Sequence, residues 1–137
     1  MPQQPETPVT KRRRLLIVED EAMVAWALVE TVRELGWSVC STVTTEQAAV
    51  EAAFHFTPDV ILMDYRLAHG GDGIVAARRI REATDTPIIF CTAYVTGLGN
   101  QLLSIPRCQI VRKPVRPSSL QKALEAALEV DAGRHEQ

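Results

Sequence analysis

Four short apolar runs in this chain each end at a residue that can do chemistry. Leu15-Leu16-Ile17-Val18 leads into Glu19-Asp20, and Val60-Ile61-Leu62-Met63 into Asp64. Ile88-Ile89-Phe90-Cys91 leads into Thr92, and Ile110-Val111-Arg112 into Lys113. A run such as Val60 to Met63, apolar throughout, is the pattern of a strand buried on both faces of a parallel sheet. In an open parallel sheet, groups just beyond the carboxyl ends of the strands converge on one crevice. Residues far apart in sequence then share one site, made of three carboxylates, a hydroxyl and an ammonium. That set suits a divalent cation and a phosphoryl group.

Helical patterns fill the spaces between these runs. After a first strand at Arg14–Val18, Val24, Ala27, Leu28, Val32 and Leu35 recur at helical spacing over 21–35, and Gly36 follows as a stop. Trp37–Ser41 reads as the second strand. An Ala-rich helix covers 45–56, with Thr44 as cap and Gln47 three residues later as half of a capping box; Pro58 breaks it. Asp59–Met63 is the third strand. Gly70-Gly71-Asp72-Gly73 makes a turn and a helix start, and Ile74, Ala77 and Ile80 line the helix that follows. Pro87 opens the fourth strand. The segment 95–104 is weakly specified, because Gly97 and Gly99 each cost a helix roughly 1 kcal/mol relative to Ala. Cys108–Arg112 is the fifth strand. Pro117 then starts a helix with an apolar stripe at Leu120, Ala123, Leu124, Ala127 and Leu128.

These elements predict an α/β chain, (βα)5, with right-handed crossovers placing helices on both faces of a doubly wound parallel sheet. The chain has 137 residues, enough for one core. The expected division is a polar, Pro-bearing tail at 1–11, one domain at 12–130 and a polar C-terminal tail at 131–137. Its formal net charge of −2 gives no general attraction to nucleic acid or to an anionic membrane. The run Lys11-Arg12-Arg13-Arg14 reads as a solvated approach to the first strand. No apolar run approaches the ~20 residues of a membrane span, and no secretory leader pattern is present, so the expected location is the cytoplasm. Cys40, Cys91 and Cys108 are odd in number and lack CxxC spacing, which points to small core residues in a reducing compartment.

The stretches Ile17-Val18-Glu19-Asp20-Glu21, Asp59 to Leu67, Gly71-Asp72-Gly73, Pro87 to Ala93 and Lys113-Pro114 together resemble the receiver domain of two-component response regulators. The match runs from about Arg14 to Val130. The resemblance implies a flavodoxin-like strand order 2-1-3-4-5. It implies phosphorylation of Asp64 by a histidine kinase, with Mg2+ (or Mn2+) held by Glu19, Asp20, Asp64 and the backbone carbonyl of Arg66. By the same resemblance, Thr92 and Lys113 contact the phosphoryl oxygens. It also implies a stand-alone phosphorelay module without enzymatic turnover beyond Mg2+-assisted self-phosphorylation and slow autodephosphorylation. Its partners would be a histidine kinase, a histidine phosphotransfer protein, or a protein or second copy bound through the fifth-strand face.

Local chemistry supports these roles. An aspartate can form an acyl phosphate. Glu19 and Asp20 would repel an ionised Asp64, and a hard cation would relieve that repulsion. Glu21 adjoins the pair as a first-turn complement to the helix dipole.

The chain departs from the receiver pattern at one place. Many receivers carry Tyr or Phe on the fifth strand, three residues before the lysine; here that place is Ile110. A ring that turns inward on phosphorylation is therefore missing, and Tyr94, two residues after Thr92, is the candidate replacement. This arrangement is similar to a subset of single-domain receivers, many paired with kinases of the HWE type. The loop from Tyr94 to Ser104 is the expected responsive element. Two other functions compete. A receiver-like protein-binding module working without phosphorylation would fit the atypical switch. A phosphatase with an aspartyl nucleophile fits poorly, since its nucleophile follows the first strand and a second acid lies two residues on, where this chain has Arg66. A dinucleotide site fails because acids stand where a glycine-rich turn would be.

Overall fold

The computed structural model describes residues 13–93, 98–102 and 104–135. The whole of the expected N-terminal tail, 1–11, and Tyr94 lie outside them. Five strands, β1 (Arg14–Val18), β2 (Ser38–Val43), β3 (Val60–Met63), β4 (Ile88–Thr92) and β5 (Cys108–Arg112), form one parallel sheet in the order β2-β1-β3-β4-β5. The helices are α1 (Ala22–Glu34), α2 (Glu46–Phe56), α3 (Gly73–Arg81), a short α4 (Leu98–Leu102) and α5 (Pro117–His135). The fold class and strand order are those expected.

The apolar runs are buried because both sheet faces are covered. On one face Leu16, Val18, Ile61, Met63, Ile88 and Phe90 pack with Ala49, Ala53, Ile74, Ala77 and Ile80 of α2 and α3. On the other, Leu15, Ile17, Val60, Leu62, Ile89 and Cys91 pack with Leu28 and Val32 of α1 and Leu120, Leu124 and Ala127 of α5. Side chains alternate along a strand, so a run without polar residues serves both cores at once. Each fully buried Leu or Ile contributes about 1.5–3 kcal/mol.

Several local expectations are corrected. Thr45, not Thr44, caps α2: its hydroxyl accepts from the Ala48 N–H at 3.0 Å. Gln47 is not half of a capping box; it donates to Glu51 at 2.8 Å along the exposed face. β2 begins and ends later than expected, at Ser38 and Val43. A register break between Leu15 and Leu16 leaves Cys40 bulged out of the ladder, its thiol donating to the Leu15 carbonyl at 3.2 Å. Cys40 and Cys108 are half-buried at the core margin and Cys91 is buried, its thiol pushed up to about 12 by desolvation. Ala27, counted in the apolar stripe of α1, is exposed. The last helix continues to His135, past the end of its apolar stripe. Between β3 and α3, Arg66–Leu67 and Gly71–Asp72 form a small antiparallel hairpin that periodicity does not reveal.

Candidate functional site

The parallel ladders extend one residue past the strands, and that residue is in each case a site residue. The Glu19 N–H donates to the Val43 carbonyl, the Asp64 N–H to Val18 and the Lys113 N–H to Thr92, each at 2.9 Å. The backbone thus fixes Glu19, Asp64 and Lys113 at adjacent positions along the carboxyl edge of the sheet.

The side chains meet there. Glu19, Asp20 and Asp64 each offer a carboxylate oxygen, and these oxygens lie within 4.8 Å of one another. The Lys113 Nζ is 3.2 Å from Glu19 Oε1 and 3.5 Å from Asp64 Oδ2. Thr92 is buried at the end of β4 beside them, while Asp20 is exposed at the rim. Glu21 caps α1 rather than entering its first turn; its N–H donates to Glu19 Oε2 at 3.2 Å. Arg66 sits in the hairpin two residues beyond Asp64, paired with Asp72. Ile110 lies on β5 opposite Phe90, half-buried against the α2–α3 core with Ile105.

Burial sets the electrostatics. Glu19 is 2% exposed. Desolvation, and then the charge of Asp64, push its carboxyl from 4.5 up to about 7, against the pull of the Glu21 N–H and Lys113. For Lys113 burial disfavours the charge, yet the Asp64 and Glu19 carboxylates outweigh it and its pKa is raised. The ammonium is held charged between two acids that repel each other.

Three hard oxygen donors, converging and under mutual repulsion, match what Mg2+ or Mn2+ takes; no thiol or imidazole belongs to the group. Coordination would draw the oxygens closer than 4.8 Å and remove the repulsion that raises Glu19.

Two features of the site were missed in the sequence. Gly73 abuts Asp64: a Cβ there would collide with the backbone carbonyl of Asp64. The Asp72 side chain caps α3 by accepting from the Ile74 N–H at 2.7 Å. The Asp-Gly pair marked a helix start, but the approach of that start to Asp64 depends on tertiary packing. Beside the site, a groove of about 360 Å3 is lined by Met23, Val24, Ala27, Leu28, Thr31 and Lys113 to Val115. Met23 and Trp26 stand out from α1 at 78% and 63% exposure.

A five-stranded parallel sheet with acids past β1 and β3 and a lysine past β5 defines a receiver-type α/β protein. The family profile described as the response regulator receiver domain matches residues 15–125, and the chain belongs to that family. It is 39% identical over 117 residues to the transcriptional regulatory protein PdtaR of Mycobacterium tuberculosis, an alignment covering 85% of this chain and 57% of the relative. It is 31% identical over 118 residues to the phyllosphere-induced regulator PhyR of Methylorubrum extorquens, covering 83% and 43%. The chain thus spans about half the length of these relatives. Among solved structures, the signal receiver domain of a modulated diguanylate cyclase from Desulfovibrio desulfuricans G20 superposes with a TM-score of 0.79 at 28% identity, covering 88% of this chain and 97% of that one. Receiver domains of response regulators work with histidine kinases and other protein partners. Among the described residues no helix is long and apolar enough to cross a membrane.

Proposed function

We propose that this chain is a phosphoacceptor: a receiver that takes a phosphoryl group onto Asp64 from a histidine kinase and signals by protein contact. The observation that carries the reading is the convergence of Glu19, Asp20 and Asp64 within 4.8 Å, with the Lys113 ammonium 3.5 Å from Asp64 Oδ2. An Asp64 carboxylate oxygen would attack phosphorus in line. The new O–P bond forms as the P–N bond of the donor phosphohistidine breaks, and the imidazole leaves neutral, keeping the proton already on its other ring nitrogen. Glu19, Asp20, Asp64 and the Arg66 carbonyl are the residues that would hold Mg2+ or Mn2+, which when bound supplies charge neutralisation for the carboxylates and for the phosphoryl oxygens.

Lys113 neutralises charge directly. Its ammonium, already between two carboxylates, would follow the negative charge as it builds on the phosphoryl oxygens. Thr92, fixed by its ladder bond to the Lys113 N–H, would offer its hydroxyl to another oxygen. The chemistry is confined to the chain's own carboxylate, with no turnover of an external substrate beyond slow hydrolysis of the aspartyl phosphate. Met23 and Trp26, exposed on the first turns of α1 beside the site, would receive the phosphodonor domain. The partner downstream would meet the β5 face, where Ile110 stands without a ring to turn.

The test is intact-mass measurement after incubation with acetyl phosphate or phosphoramidate and MgCl2, beside Asp64→Asn. A gain of one phosphoryl group, absent in the variant, supports the proposal. No gain in the wild-type chain with either donor would overturn it in favour of a binding module that works without phosphorylation.

A further inference from the structure

The hairpin after Asp64 is tied to α2 as well as to the sheet. The Gly73 N–H donates to the Tyr65 carbonyl at 2.6 Å, and Arg66 is the register partner of Asp72. In an antiparallel ladder, hydrogen-bonded and non-hydrogen-bonded pairs alternate. The bond between Gly73 and Tyr65 flanks the Arg66–Asp72 pair, which makes that pair the non-hydrogen-bonded kind. Its backbone groups therefore point out of the hairpin. On one edge the outward group is the Asp72 N–H, and it donates to Glu46 Oε2 at 3.1 Å. On the other edge it is the carbonyl of Arg66, directed away from the ladder.

The tie is tight for steric reasons as well. A Cβ on Gly71 would lie 3.4 Å from Glu46 Cβ and 3.2 Å from the Ala68 carbonyl, so the hairpin backbone rests against the first turn of α2. The Ala68 N–H adds a bond to the Thr44 carbonyl at 2.9 Å, and Leu67 is buried. The Glu46 carboxylate holds the hairpin backbone from α2 and does not belong to the acidic cluster.

We infer that Glu46 is a positioning residue for the cation site: reaching from α2, its carboxylate fixes Asp72, and through the Arg66–Asp72 pair it aims the Arg66 carbonyl at the acidic cluster. This rests on the reading of that cluster as a Mg2+ site. A hairpin of two residues per strand has little stability of its own. Without the tether the carbonyl would sample several orientations, and the cation would have to select one of them.

Glu46 also stands at the N-terminus of α2, where a negative charge favours the helix dipole. Two variants separate the roles. Glu46→Asp keeps the charge in the first turn but is one methylene too short to reach the Asp72 N–H. Glu46→Gln removes the charge but keeps an oxygen at the right reach. Each is titrated with MgCl2 by calorimetry, and exchange of the Asp72 amide proton is followed by NMR without metal. The expected result is a Mg2+ affinity about tenfold weaker in Glu46→Asp, the low end of what losing an outer-shell partner does to a metal site, and within about twofold of wild type in Glu46→Gln. Asp72 exchange should quicken in Glu46→Asp alone. Unchanged Mg2+ affinity in Glu46→Asp, or equal weakening in both variants, would overturn the positioning role while leaving the Mg2+ site standing. Absence of Mg2+ binding to the wild-type protein would overturn both.

Discussion

Replacing Glu19 by Gln should stabilise the metal-free protein, although it removes an ion pair. Glu19 is almost fully buried, and its carboxyl is pushed from 4.5 up to about 7 by burial and by Asp64. A raised acid favours the protonated form in the fold. Its contribution to stability is complete below pH 4.5, falls as pH rises through about 7, and is gone above that. The loss across the window is up to about 3 kcal/mol. Gln resembles the protonated acid in shape and keeps an oxygen for the Glu21 N–H. At pH 8 in EDTA, Glu19→Gln should therefore melt up to about 10 °C above wild type, at roughly 4 °C per kcal/mol for a domain of this size. At pH 5 the two should differ by less than about 2 °C, because wild-type Glu19 is already mostly protonated. With 10 mM MgCl2 at pH 8 the wild type should gain stability and the variant should not. The assay is thermal denaturation by circular dichroism at both pH values, with and without metal. A variant that melts at or below wild type at pH 8, or whose advantage does not depend on pH, would refute the reasoning.

Gly73→Ala should cost about 2 kcal/mol of stability, because the added methyl collides with the Asp64 carbonyl. It should also slow phosphoryl uptake from acetyl phosphate by about a hundredfold, as small misplacements of reacting groups do; uptake at the wild-type rate would contradict the packing. Trp26→Ala, at an exposed position, should leave the melting temperature and uptake from acetyl phosphate unchanged and reduce uptake from a phosphorylated kinase by about tenfold. Arg81, half-buried at the opposite edge of the sheet, donates to the carbonyls of Pro106, Thr84, Thr86 and Arg107. Arg81→Met should lower stability by about 2–4 kcal/mol in urea denaturation without changing Mg2+ affinity. A loss confined to Mg2+ binding would show that Arg81 acts on the site instead.

The site was legible where the chain itself marks it. A run such as Val60 to Met63 must end where its ladder ends, so Asp64 could be placed at the sheet edge without coordinates. Parallel order then brings Glu19, Asp64 and Lys113 together, as the ladder bonds of their N–H groups describe. β1 and β5 begin and end at the residues expected from their apolar runs. β2 was displaced because its polar and apolar residues alternate poorly and Cys40 is bulged. Thr44 and Thr45 are equivalent in composition, and only the first helical N–H groups decide which of them caps. The Arg66–Asp72 hairpin is too short for a two-residue period to register. Glu46 looks like an ordinary first-turn acid until α2 is packed beside the loop after Asp64. Tyr94, offered as a replacement for the ring missing at Ile110, lies outside the described residues.

The central claim concerns one carboxylate, and reductive trapping reaches it directly. Protein loaded from acetyl phosphate with MgCl2 is treated with borohydride, which converts an acyl phosphate to the alcohol, and the digest is sequenced by mass spectrometry. Homoserine at position 64, dependent on MgCl2 and absent when EDTA replaces it, is the predicted result. Homoserine at position 20, hydroxynorvaline at position 19 (the alcohol a reduced glutamyl phosphate gives), or an unmodified Asp64 in protein that has gained a phosphoryl group, would contradict it.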